Sequence, residues 1–143
     1  MTLVVDASIA FKWFVAEAGS DLASRLLAAG GERLVAPELV LAELLNAMWK
    51  GMRQHVVDPD QLQRTAAQSP AFFDELVPLR SLASRAAEIA RALDHPVYDC
   101  FYLALAEREG ACLVTADRRL LGRVAGTPWQ ERARDLASFA QES

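Results

Sequence analysis

Two cysteines, two histidines and two lysines among 143 residues leave several chemistries without material. Cys100 and Cys112 form no C-x-x-C pair and stand in apolar surroundings, so they are expected to be buried free thiols, the usual state in a reducing cytoplasm. His55 and His95 are far apart and add no zinc-ligand spacing to the cysteines. Both read as ordinary surface or loop residues, which argues against a ribonuclease built on histidine acid–base chemistry. Long hydrophobic runs are missing too: no window reaches the roughly 18 apolar residues of a membrane span. Asp6 interrupts the opening apolar run before a signal peptide could take shape. A cytoplasmic protein without membrane contact is expected. Basic excess is also absent, since 15 Lys and Arg face 19 Asp and Glu for a net charge of −4. That balance argues against a protein gripping nucleic acid through a broad basic face. It leaves room for one whose acids are concentrated at a reaction centre, where two divalent cations would cancel the excess.

What is present is an ordinary globular composition. Apolar residues make up 52% and charged residues 24%, enough for a core without disulfides. The length fits one domain over residues 1–143. No repeat, linker or low-complexity tract interrupts it. LVV is a short strand ending at Asp6, followed by a helix to Val15. Ser20 and Asp21 open a second helix, which Gly30 and Gly31 should stop. RLVA reads as a strand, and Pro37 as the first turn of a helix running to about Arg53. Asp58, Pro59 and Asp60 start the next helix, forming a helical hairpin with the previous one. Between Pro70 and Pro78 there is room for at most a brief strand. A helix from about Leu82 to Leu93 puts Ala86, Ile89, Ala90 and Leu93 on one face. YDCFYLALAERE, after Pro96, is apolar nearly all round and hence a buried helix, closed by Gly110. CLVTAD is a strand and RRLLGRV a helix. ARDL is expected as an edge strand, with a last helical turn near Phe139. Strands alternating with helices predict an α/β fold with a parallel sheet covered on both faces.

Four acids stand out by position. Asp6 and Asp117 end strands just before helices, at the sheet edge where open α/β folds bind ligands. Asp99 begins the buried helix. Glu43 shares a helix face with Leu39, Val40 and Ala47, where a carboxylate is expensive to bury. Taken singly, each aspartate is explained as a helix N-cap, and Glu43 by reaching toward Lys50 or solvent. Taken together, carboxylates meeting at one place repel unless cations lie among them, and all-oxygen ligands suit magnesium or manganese. Ser8 and Thr115 stand two residues from Asp6 and Asp117 and are candidate supports, with local backbone hydrogen bonds the plainer account. Asn46 is a candidate to orient Glu43, or a surface amide. Lys12, Arg118 and Arg119 flank the acids and are candidate RNA-phosphate contacts, or solvated helix ends. Met48, Trp49 and Met52 add bulk beyond one buried face, suiting a homodimer surface or a groove for a partner helix; for Trp49 core packing is the simpler account.

VVDASI, PELVLAELLNAM, VYDCFYLALAEREG and LVTADRRL, in this order and spacing, resemble the PIN-domain nucleases, and among them the VapC-type toxins of bacterial toxin–antitoxin modules. The resemblance implies a three-layer α/β/α sandwich with a short parallel sheet. It implies a Mg2+- or Mn2+-dependent endoribonuclease with Asp6, Glu43, Asp99 and Asp117 as its acidic quartet and metal ligands, Thr115 in the motif's hydroxyl position, and a cognate antitoxin as partner. Residues 54–96 and the tail after Leu121 carry no signature of the family, so the RNA target stays open. The alternatives are a PIN-domain nuclease of RNA processing that is no toxin, and an inactive PIN-like binding module. A response-regulator receiver is excluded: Asp58 precedes Pro59 at a helix start, and Lys12 and Lys50 leave no lysine late in the chain.

Overall fold

The computed structural model describes residues 1–28 and 31–141. Five strands form the sheet: β1 (Thr2–Val5), β2 (Arg33–Pro37), β3 (Glu75–Val77), β4 (Cys112–Thr115) and β5 (Ala133–Asp135). Their order is β3-β2-β1-β4-β5, and every pairing is parallel. Among the described residues seven α-helices cover it: α1 (Ala7–Phe14), α2 (Ser20–Arg25), α3 (Leu39–Arg53), α4 (Pro59–Gln68), α5 (Ala83–Leu93), α6 (Val97–Glu109) and α7 (Arg118–Val124). This is the parallel sheet covered on both faces that the alternation of strands and helices predicts, and the three-layer α/β/α sandwich that the family resemblance implies. Leu3, Val4 and Val5 are all buried, because a parallel sheet packed on both faces has no solvent side for a strand to alternate toward.

The chain leaves β1 in one direction to build β2 and β3, then returns to β1's other side for β4 and β5. Right-handed crossovers in opposite directions place α1–α4 and α5–α7 on opposite faces. They also open a crevice between the C-terminal ends of β1 and β4, the switch point at which such sheets bind ligands. α6 is the central helix of its layer, packed on β1, β2 and β4, with Cys100, Tyr102, Leu103, Ala104, Leu105 and Ala106 buried. Gly110 ends it with φ +61°, a conformation that costs glycine little. On α3, Val40, Leu44, Met48 and Gly51 form the buried stripe. Gly51 is needed for close approach: a Cβ there would lie 2.6 Å from Val57 Cγ2.

Several sequence-based expectations need correction. Pro37 is the last residue of β2, and α3 begins at Leu39; the next amide, Glu38 N–H, bonds Val77 O, so the proline stands where the ladder needs no donor from it. α2 already ends at Arg25, before the glycines, and Gly30 lies outside the described residues. Cys100 is buried, but Cys112 is only half-buried and points its thiol at Glu131 O, 3.2 Å away. Trp49 is 42% exposed on the outer side of α3, with the Arg53 guanidinium over its ring at 5.3 Å. It is not core. No helix among the described residues is long and apolar enough to cross a membrane.

Candidate active site at the switch point

Asp6 and Asp117 follow the adjacent strands β1 and β4 and cap the helices that leave them. Asp6 Oδ1 accepts from Ser8 N–H at 3.1 Å and Ile9 N–H at 3.3 Å. Asp117 Oδ1 accepts from Arg119 N–H at 2.9 Å and Leu120 N–H at 3.3 Å. For these two acids the cap is real, and each carboxylate also faces the positive end of its helix. Asp99 is different. α6 begins at Val97 with Pro96 at its N-cap and no side-chain cap, so Asp99 is a first-turn residue whose carboxylate is not spent on capping.

Two hydroxyls lace the strand ends together. Ser8 Oγ donates to Asp6 Oδ1 at 2.6 Å and accepts from Ala116 N–H at 3.0 Å. Thr115, wholly buried, accepts from Asp117 N–H at 3.0 Å, and its hydroxyl helps to hold the Asp6 carboxyl down. Asp6 is only 7% exposed, and loss of water pushes its carboxyl up from 3.8 to about 6. Ser8, Thr115 and Ile9 N–H pull the other way, and the charge of Asp99 adds to the rise. Burial wins. Glu43 rises above the usual carboxylate range for the same reasons: burial first, opposed by a hydrogen bond from Tyr102, with Asp99 adding repulsion.

The structure therefore brings Asp99 within electrostatic reach of both Asp6 and Glu43, with Asp117 on the neighbouring strand end. Among the described residues none of Asp6, Glu43 and Asp117 forms an ion pair, and no three His, Cys, Asp or Glu side chains are gathered tightly enough to encircle an ion. Such spacing still fits magnesium, which keeps several waters and binds through one or two carboxylates plus substrate phosphate rather than in a protein cage.

The sequence reading missed two contacts. His95 Nε2 lies 2.6 Å from Asp99 Oδ2 and its side chain is 12% exposed, so it is no ordinary loop residue; His55 is exposed as expected. Tyr102 Oη donates to Glu43 Oε1 at 2.6 Å, and burial holds its own ionisation well above the ordinary range. A tyrosine inside an otherwise apolar helix was the available signal, because a buried phenol needs a partner. Asn46, by contrast, is exposed, and the hydrogen bond that Glu43 accepts comes from Tyr102.

Of the cations flanking the acids, Lys12 is held by Glu17 Oε2 at 2.9 Å and Ala18 O at 2.6 Å. Arg118 is 83% exposed and 3.2 Å from Asp135, and Arg119 is exposed. A groove of about 660 Å3 opens beside the acids, lined by Ser8, Phe11, Lys12, Lys50, Val56 and Ala116 among others.

A parallel sheet with acids at its switch point, and the four motifs on the elements that carry them, agree with the comparisons to known proteins. The PIN-domain family profile matches residues 3–126, and the chain belongs to that family. It is 36% identical over 123 residues to Ribonuclease VapC3 of Pyrobaculum aerophilum, covering 84% of this chain and 92% of that one. Among solved structures, PAE2754 of Pyrobaculum aerophilum superposes with a TM-score of 0.68 at 28% identity, over 99% of this chain and 94% of the other. VapBC2 of Rickettsia felis, bound to a DNA fragment from its promoter, gives 0.67 at 16% identity over 94% and 98%, a likeness of fold.

Proposed function

We propose that residues 1–143 form a single PIN-like nuclease domain, a Mg2+- or Mn2+-dependent endoribonuclease that is the toxin of a toxin–antitoxin module. The observation that carries this reading is the set of carboxylates at the switch point: Asp6 and Glu43 are held above their ordinary ionisation range by burial, Asp99 adds repulsion, and no guanidinium or ammonium pairs with Asp6 or Glu43 among the described residues. Burying acids without a counter-charge is unfavourable and becomes favourable when a hard cation is the missing partner. The likeness to Ribonuclease VapC3 supports RNA as substrate.

In this reading Asp6, Glu43, Asp99 and Asp117 hold the ions. A divalent ion held by them would supply a more acidic bound water and counter-charge for the scissile phosphate. The protein's own part is positional. Ser8 and Thr115 fix Asp6, Tyr102 fixes Glu43, and the α1 and α7 N-termini fix the two strand-end acids. Lys12, Arg118 and Arg119 hold RNA phosphates on either side. The exposed Trp49 and Val56 suit a homodimer or antitoxin contact, and the resemblance to VapC-type toxins supports a cognate antitoxin as partner, met in the cytoplasm on this reading.

The test is cleavage of RNA by the purified chain in magnesium or manganese, abolished on adding EDTA. Cleavage that persists in excess chelator, with contaminating nucleases excluded, removes the metal. Expression alone should arrest bacterial growth, and the neighbouring gene's product should relieve it. Harmless expression of a chain that still cuts RNA removes the toxin and leaves the nuclease.

A further inference from the structure

Tyr102 is a neutral hydrogen-bond donor that reaches a carboxylate of the site from the central helix, and its place in the fold gives it a task that a core residue does not need. It is 1% exposed, packed within the buried stretch of α6 that includes Cys100, Leu103 and Leu105. A phenylalanine would fill nearly the same volume. The hydroxyl instead crosses to α3 and donates to Glu43 Oε1 at 2.6 Å, over a separation of 59 residues. Because the ring is locked by packing, the oxygen it holds is locked as well, and Glu43 Oε2 is left with no protein donor among the described residues.

Resting on the metal-dependent reading above, we infer that Tyr102 is a positioning residue: its hydroxyl presents Glu43 to the divalent ion while leaving that carboxylate's charge undiminished. The neutrality of the phenol is the point. A lysine or arginine here would hold Glu43 equally well, but would cancel its charge and compete with the ion. Groups that orient a ligand without binding the metal typically contribute ten- to hundredfold to affinity.

The plainer account is a tether between α3 and α6. The two differ in what they predict for Tyr102→Phe, which keeps the ring. Manganese binding to the full-length protein, followed by electron paramagnetic resonance of the free ion, should weaken about tenfold or more. In the Glu43→Gln background the same change should add little, because the two groups act as a pair. A tether alone would lower the melting temperature in chelator and leave manganese affinity as it was. Tyr98 is the only other tyrosine and is exposed, so Tyr98→Phe leaves Tyr102 as the one tyrosine, read at the tyrosine band against the same spectrum of the Tyr98→Phe, Tyr102→Phe protein to remove the three tryptophans. Adding magnesium to that protein should shift the tyrosine difference spectrum. Equal manganese affinity in the wild-type and Tyr102→Phe proteins overturns the inference and leaves the metal reading in place. A silent tyrosine spectrum on magnesium binding overturns it in the same way. A wild-type chain that takes up no manganese overturns both.

Discussion

At the N-terminal edge of the sheet Arg33 lies 2.6 Å from Glu75 and 3.2 Å from Glu109. Near the C-terminal end of α6, Arg85 forks onto Glu107 at 2.7 and 2.9 Å, and Trp129 Nε1–H adds a third bond at 2.9 Å. Glu107 is held below the usual carboxylate range, first by its hydrogen bonds from Arg85. At the C-terminal edge of the sheet the acids have hydroxyls, backbone amides and an imidazole around them, and Asp6 and Glu43 are shifted upward. The same chain thus treats one kind of side chain in two ways. At Glu75, Glu107 and Glu109, away from the switch point, an arginine meets the carboxylate. At Asp6 and Glu43 the donors are hydroxyls and backbone amides, which orient charge without removing it.

The largest expected effect breaks that contrast at the level of activity. Asp6→Asn, Glu43→Gln, Asp99→Asn and Asp117→Asn should each lower RNA cleavage by roughly a hundredfold or more, with the circular dichroism spectrum unchanged. Glu107→Gln should cost about 1 kcal/mol of stability, discounted for its partial exposure, and leave cleavage alone. Full activity in two of the four site variants would dissolve the distinction between the two edges.

A smaller effect concerns pH. The Asp6 carboxyl sits at about 6 in the folded protein against an ordinary 3.8, so the folded state binds this proton more tightly than the unfolded chain. Its contribution to stability is full below about pH 4, falls as pH rises through about 6, and is gone above; the span is about 3 kcal/mol. Urea unfolding in chelator should show wild type losing ground to Asp6→Asn across that window. Divalent stabilisation should grow over the same range, because protons and cations compete for one carboxylate. A difference between the two proteins that stays flat with pH would mean that burial does not govern Asp6.

The smallest effect is on the rim. Arg118→Ala, and to a lesser degree Lys12→Ala because Glu17 already holds that ammonium, should weaken RNA binding a few-fold. Removing one cation from a phosphate should flatten the salt dependence by about 0.7 in log–log slope. An unchanged slope would take that residue out of the RNA path.

The strand ends and the two acids that follow them, Asp6 and Asp117, were legible in the sequence because they depend on local pattern: a β-branched run, then an acid, then a helix. β5 and the last helical turn at Leu136–Gln141 were legible in the same way. Tyr102 and His95 were not, for two separate reasons. The partner of Tyr102 is set by how α3 and α6 come together across the sheet edge, which no local spacing encodes. His95 follows Asp94, whose φ of +49° turns the chain just after α5 and aims the imidazole back at Asp99. Pro37 was misread because a proline at the first helical turn and one at a strand's last position look alike in sequence. Trp49 was misread because bulk on a helix does not say which side of it faces solvent.

The lacing of the strand ends by Ser8 and Thr115 bears on how the protein comes into being. Ser8 Oγ takes its backbone donor from Ala116, 108 residues further along the chain. During synthesis α1 and the first two strand crossovers emerge long before that donor exists. A ribosome-bound or prematurely ended chain can carry Asp6, Glu43 and Asp99 and still lack β4, and with it the wall that removes Asp6 from water. On the proposed reading the cutting centre is a property of the finished sheet, so fragments from stalled translation or proteolysis should be inert, and the cell should meet the nuclease only when the chain is nearly complete.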